Sequence, residues 1–133
     1  MDKYMYPALF EAYEDGGYTV SFPDLRGCIT EGDNLEESLK MAKEALELFL
    51  WNMEDDNEEI PEPTPPEKLE TQKGNFIVPI EADMLLIRAK MNNKTVNTTV
   101  TMPQWLKYKA EKKKINFSKV LQAALKEQLN IKS

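Results

Sequence analysis

A chain of 133 residues, 41% hydrophobic and 30% charged, has the composition of a water-soluble globular protein of one domain or two small ones. With no histidine and one cysteine it excludes imidazole acid–base chemistry and histidine triads, and it disfavours a zinc site or a disulfide framework. The net charge of −6 hides a division: residues 1–90 hold 21 acidic and eight basic side chains, whereas residues 91–133 hold nine lysines and two glutamates.

No apolar run is long enough to span a bilayer, and the opening MDKYMYPALF lacks a signal-peptide cleavage site, so the expectation is a cytoplasmic chain with no membrane association. Residues 4–13 read as a first strand with a break at Pro7. Asp15-Gly16-Gly17 makes a hairpin turn, because glycine supplies positive φ, and Tyr18–Phe22 is the returning strand. Pro23 to Gly27 form a second turn, and Cys28–Glu31 a short third strand, completing a meander.

Asn34 then starts a helix, with Glu37 three residues on in a capping-box pattern. Leu35, Leu39, Ala42, Leu46, Phe49 and Met53 form an apolar stripe that predicts packing on the sheet. Residues 54–74 carry eight acids and four prolines and predict a solvated, partly extended loop. Asn75–Glu81 is strand-like and is expected to return as a fourth strand. Asp83 is placed to cap a short helix over Met84–Lys90, which Asn92-Asn93 ends.

From Thr95 to Thr101 small polar residues alternate with apolar or β-branched ones, the period of a half-buried strand. Asn97, Thr99 and Thr101 share one face, and Val96, Thr98, Val100 and Met102 the other. Pro103 stops the strand and suits a helix start. Helices are expected over Gln104–Lys113 and, capped by Asn116, over Phe117–Leu129. A lone strand cannot stand by itself, and a second copy of itself is the simplest partner. Two copies would form an antiparallel ribbon over four helices, of a size that enters the DNA major groove.

This stretch resembles a ribbon-helix-helix DNA-binding domain. The resemblance implies that Asn97, Thr99 and Thr101 contact bases. It also implies that Asn116, Phe117, Ser118 and Lys119, at the start of the second helix, hold a backbone phosphate through free amides. Lys114 departs from the family, which often has glycine there; at positive φ it would carry strain of order 1 kcal/mol.

A second resemblance lies in Phe22-Pro23-Asp24-Leu25, Gly27-Cys28, Glu31-Gly32-Asp33 and the Leu-Glu-Glu-Ser-Leu helix start at Leu35–Leu39. Together these resemble the N-terminal domain of the HicB antitoxins, with Arg26 where the family usually has proline. The resemblance implies an α+β protein. Residues 1–90 would be an antiparallel sheet with one packed helix, a partial RNase H-like fold that binds toxin. Residues 91–133 would be the ribbon-helix-helix dimerisation domain. It further implies neutralisation of a HicA-like toxin, a small basic protein that cleaves mRNA with a histidine, and repression of the operon at its operator DNA. The ribbon requires a homodimer, and the choice between that dimer and a tetramer made by front-to-front pairing is left open.

Loops on a rigid sheet carry contacts, so Phe22, Pro23, Asp24, Leu25, Arg26, Gly27 and Cys28 are the candidate toxin-binding residues. No cofactor, metal or catalytic residue is expected. A metal nuclease would need carboxylates converging on Mg²⁺, and the candidates near strand ends, Asp15, Asp24, Glu31 and Asp33, read as solvated turn residues. The remaining rival is a ribbon-helix-helix repressor whose front domain senses a ligand or only oligomerises.

Overall fold

Four strands build the front of the molecule: β1 (Lys3–Ala12), β2 (Tyr18–Ser21), β3 (Ile29–Gly32) and β4 (Phe76–Asp83). They form one antiparallel sheet in the order β3-β2-β1-β4. The computed structural model describes residues 1–92 and 95–131. The chain divides into two units, Met1–Lys94 and Thr95–Ser133.

The turns follow their glycines. Gly16 at φ 92° closes the β1–β2 hairpin, with the Tyr13 amide donating to the Gly17 carbonyl at 2.9 Å. β1 does not break at Pro7. Pro7 pairs with Pro79 of β4, and two prolines can exchange no hydrogen bond, so this is a non-hydrogen-bonded pair. Each proline ring therefore points away from the β1–β4 ladder. Pro7 faces the side where β2, paired only with Leu9–Ala12, does not reach. Neither proline removes a ladder bond, and the strand runs on.

α1 (Leu35–Asp55) starts as the sequence predicts. The Glu37 amide donates to Asn34 Oδ1 at 2.8 Å, and Glu37 Oε1 accepts from the Asp33 amide at 3.3 Å. The buried line along it is Ser38, Ala42, Leu46 and Leu50, which shares Ala42 and Leu46 with the expected stripe. Leu35 and Leu39 are exposed, and Phe49 and Met53 are only partly covered. The reason is close approach at the helix start. A Cβ on Gly32 would lie 2.6 Å from the Ser38 amide nitrogen and 2.7 Å from its Cα. Only a small side chain fits beside that strand end, so Ser38 turns inward, its hydroxyl donating to the Asn34 carbonyl at 2.6 Å.

The core lies between α1 and the sheet face carrying Tyr6, Ala8, Phe10, Val20, Ile80 and Ala82. Phe10 stacks on Phe76 at 5.2 Å, and Tyr18 meets both rings edge-on. Each fully buried large apolar side chain contributes about 1.5–3 kcal/mol. β3 begins at Ile29 rather than Cys28, whose buried thiol faces the Ala45 carbonyl of α1 at 3.8 Å.

The free edge of β4 is guarded by α1. Lys43 Nζ donates to the Glu81 carbonyl at 3.0 Å, and Glu47 accepts from the Asp83 amide at 2.7 Å. Asp83 Oδ1 accepts from the Leu85 amide at 3.2 Å at the start of α2 (Met84–Asn92). That helix runs past the expected Lys90 to Asn92, and Asn93 of the expected Asn92-Asn93 end lies outside the described residues. Arg88 of α2 grips both Glu54 carboxylate oxygens, at 3.0 and 2.6 Å, and Asp2 at 2.7 Å. That fork joins the N-terminus, the end of α1 and α2 and holds the guanidinium charged.

In the second unit, α3 (Gln104–Lys112) and α4 (Phe117–Gln128) follow Pro103. Lys114 sits at φ 56° in the turn between them, the left-handed conformation in which glycine is the unstrained residue. The strand expected over Thr95–Thr101 is not formed in the single chain, which has no strand assigned there. A strand needs a neighbour to satisfy its amides, and one copy of this unit supplies none.

Candidate interaction surfaces

The turn Phe22–Cys28 is knitted by its backbone. The Leu25 amide donates to the Phe22 carbonyl, the Cys28 amide to Leu25, and the Phe22 amide to Cys28, at 3.0–3.1 Å. Its side chains divide sharply. Phe22, Leu25 and Cys28 are buried in the core, while Pro23, Arg26 and Gly27 are exposed. Burial raises the Cys28 thiol from 9.0 to about 11, so it stays protonated near neutrality. Of the seven candidate toxin-binding residues, three therefore have no surface to offer beyond their backbone.

Asp24 is committed inside the unit. Its carboxylate accepts from the Thr64 amide at 2.9 Å and from the Thr64 hydroxyl at 2.5 Å. Thr64 belongs to the acidic, proline-rich segment expected to be a solvated loop. That segment is largely exposed and irregular, as expected, but it is anchored to the unit as a strap. Ile60 packs on the core, the Tyr6 hydroxyl donates to the Pro61 carbonyl, and Pro66–Lys68 form a 3-10 turn. The sequence signal was the Tyr6 and Asp24 hydroxyl and carboxylate without local partners, but nothing local said where those partners were. Asp15 is also a turn residue, accepting from the Gly17 amide at 2.9 Å. Among the described residues no three carboxylates or thiols converge closely enough to hold a metal ion.

In the second unit Asn97, Thr99 and Thr101 are exposed. Asn116 caps α4, its Oδ1 accepting from the Lys119 amide at 3.0 Å. Ser118 Oγ accepts from Gln122 Nε2 at 2.9 Å. No described residue of 95–131 is buried. Yet Val96 is 83% exposed, and Val100, Leu106, Phe117, Val120, Leu125 and Leu129 stand uncovered with it. That is more bare apolar surface than so few residues ordinarily carry.

The model of the HicB-like antitoxins of bacterial toxin–antitoxin systems matches residues 6–124. The chain belongs to the HicB-like antitoxin family. It is 34% identical over 99 residues to a 14.9 kDa protein of Haemophilus phage HP1, covering 72% of each chain. It is 34% identical over 102 residues to antitoxin HicB 2 of Photorhabdus laumondii, covering 73% of this chain and 68% of that one. With antitoxin HicB 1 of the same organism identity rises to 48%, over 60 residues and 39% of that protein's length.

Among solved structures, a toxin–antitoxin complex from Streptococcus pneumoniae holds a chain similar over 95% of this one and 99% of its own, at TM-score 0.58 and 22% identity. The Burkholderia pseudomallei antitoxin HicB is similar over 95% of this chain and 96% of its own, at TM-score 0.54 and 19% identity. These likenesses carry the α+β fold. Among the described residues no helix is long and apolar enough to cross a membrane.

Proposed function

We propose that this HicB-like antitoxin neutralises a small basic toxin with its first unit and represses its own operon with its second. The observation that carries the reading is the opposite charge of the two units on a chain of this family. The acidic residues crowd before Lys90 and the lysines after it. An acidic surface attracts and orients a basic partner and repels nucleic acid, and a lysine-rich one does the reverse. A HicB relative has been solved as a HicA3–HicB3 toxin–antitoxin complex, which supports a HicA-like protein as the partner.

The second unit works as a dimer in this proposal. Two copies bury the bare apolar face of α4 and pair their Thr95–Thr101 segments into a ribbon. Asn97, Thr99 and Thr101 then read base edges, and the Phe117 and Ser118 amides at the start of α4 receive a phosphate, the Lys119 amide being taken by the Asn116 cap.

The deciding experiment is co-expression with a HicA-like toxin from the same source as this chain. That protein should arrest growth alone and be harmless when co-expressed, and the two should co-purify. Growth arrest that persists, with no co-purification, refutes the antitoxin half. Capture of DNA alone would turn attention to the repressor whose front unit serves another purpose.

A further inference from the structure

The N-terminal half of β1 is an open strand edge. The Pro7–Pro79 pair fixes the alternation, so Lys3 and Met5 direct their backbone groups away from β4. The outward bonds of Glu81 and Asp83 to α1 agree with that alternation on the opposite strand. β2 stops at the partner of Leu9, and among the described residues no backbone bond reaches Lys3 or Met5 from that side.

Beside this open edge lies a groove. One lobe, about 420 Å³, is bounded by Met1, Met5, Tyr4, Ile60, Pro61 and Glu62 among others. A second, about 180 Å³, is bounded by Pro7, Pro65, Pro66 and Pro79. Both lobes share Met5 and Pro63. One wall is thus the strand and the other the strap that Asp24 and Tyr6 hold in place. Its lining is mostly apolar, and its charged side chains, Lys3, Glu62 and Glu81, are net negative. Lys3 already pairs with Glu81 at 3.6 Å, whereas Glu62 has no ion-pair partner among the described residues.

We propose that this groove seats a short extended segment of the basic toxin, laid along the free half of β1. Backbone bonds to Met5 would extend the ladder by strand addition, Met5 and the prolines would receive an apolar side chain, and Glu62 a lysine or arginine. The charge of the unit selects this occupant: a net negative lining on an acidic body disfavours nucleic acid and a second copy of the same unit. The strap's role follows. Its prolines are stiff, so the wall is formed before the partner arrives and little ordering entropy opposes docking. This inference rests on the antitoxin reading and specifies its surface.

The test is calorimetric titration of the full chain with the HicA-like toxin from the same source. Glu62→Lys and Met5→Asp should each weaken binding roughly tenfold or more. Leu86→Asp, on exposed α2, should leave it unchanged. Thermal melts of all three should match the parent within a few degrees, which separates lost contact from lost fold. If the parent binds tightly and both groove variants bind equally well, the groove is not the seat and the antitoxin reading stands. If the parent does not bind at all, that reading and the groove fall together. Isotope labelling of the methionine methyls gives a second readout: Met1 and Met5 signals should shift on complex formation, and unshifted signals in a formed complex overturn the proposal.

Discussion

Asp24 and Thr64, forty residues apart, are joined by two hydrogen bonds to one carboxylate, at 2.9 and 2.5 Å. The pair fastens the proline-rich strap to the turn after β2. Asp24→Ala should cost about 1–3 kcal/mol, because it leaves a half-buried amide and hydroxyl without an acceptor. Asp24→Asn should cost less, since its amide oxygen can still accept from the Thr64 amide while its NH₂ donates to the hydroxyl. Urea unfolding measures the order of the two. Limited proteolysis should show the strap cut faster in the alanine variant; equal rates would mean the strap is held elsewhere.

Gly32 should tolerate nothing larger. An added methyl would meet the backbone of Ser38 at 2.6–2.7 Å as well as its hydroxyl at 2.5 Å. Gly32→Ala should therefore destabilise by about 1–3 kcal/mol. Adding Ser38→Ala should not restore the loss, because the amide and Cα remain. A full rescue in thermal melts would place the clash in the hydroxyl alone.

Lys114 offers the opposite result. At φ 56° it is strained where glycine is not. Lys114→Gly should raise stability by up to about 1 kcal/mol. Glycine's extra freedom in the unfolded chain offsets part of that gain. The melt of the isolated transition of the second unit, followed by calorimetry, reads it directly.

The proposed ribbon dimer yields separable failures. Leu125→Asp places a charge on the bare face of α4 and should dissociate the second unit's dimer, seen by sedimentation, with operator binding lost. Asn97→Ala should keep the dimer and relax operator preference by about 1–3 kcal/mol at one base pair. Lys119→Ala should weaken binding to all sequences and flatten the salt dependence. Unaltered operator preference in the Asn97 variant would reject the base-reading assignment.

Stability should fall in alkali. Burial raises the Cys28 thiol from 9.0 to about 11 and the Tyr6 phenol from 10.0 to about 12. In the folded state both keep their protons to higher pH than in the unfolded chain. From about pH 9 upward the unfolded state binds fewer protons, and the slope of unfolding free energy with pH is negative. Denaturation midpoints should drop between pH 9 and 11, and Cys28→Ala should flatten the first part of that drop. A flat midpoint over this range in the parent would show that neither group changes its proton affinity on folding.

Local chemistry wrote much of this protein plainly. Asn34 and Glu37 cap α1, Asn116 caps α4, and Gly16 turns the first hairpin, because each needs partners only two to four residues away. The same locality made Phe22 to Cys28 recognisable as a motif. What the sequence could not say was which of those side chains would face solvent. Phe22, Leu25 and Cys28 went to the core, and Asp24 to Thr64, since burial is settled by elements brought in from far along the chain. The apolar stripe of α1 held at Ala42 and Leu46 but not at Leu35 and Leu39, where the close approach of Gly32 to Ser38 puts the small side chain inward. Pro7 looked like a strand breaker until β2 proved too short to need its amide. The alternation of Thr95–Thr101 announced a strand, but a strand is a property of a pair. The order of residues determined the caps, turns and charge division by short-range chemistry; only tertiary packing decided that an acidic, proline-rich segment would become the wall of a groove.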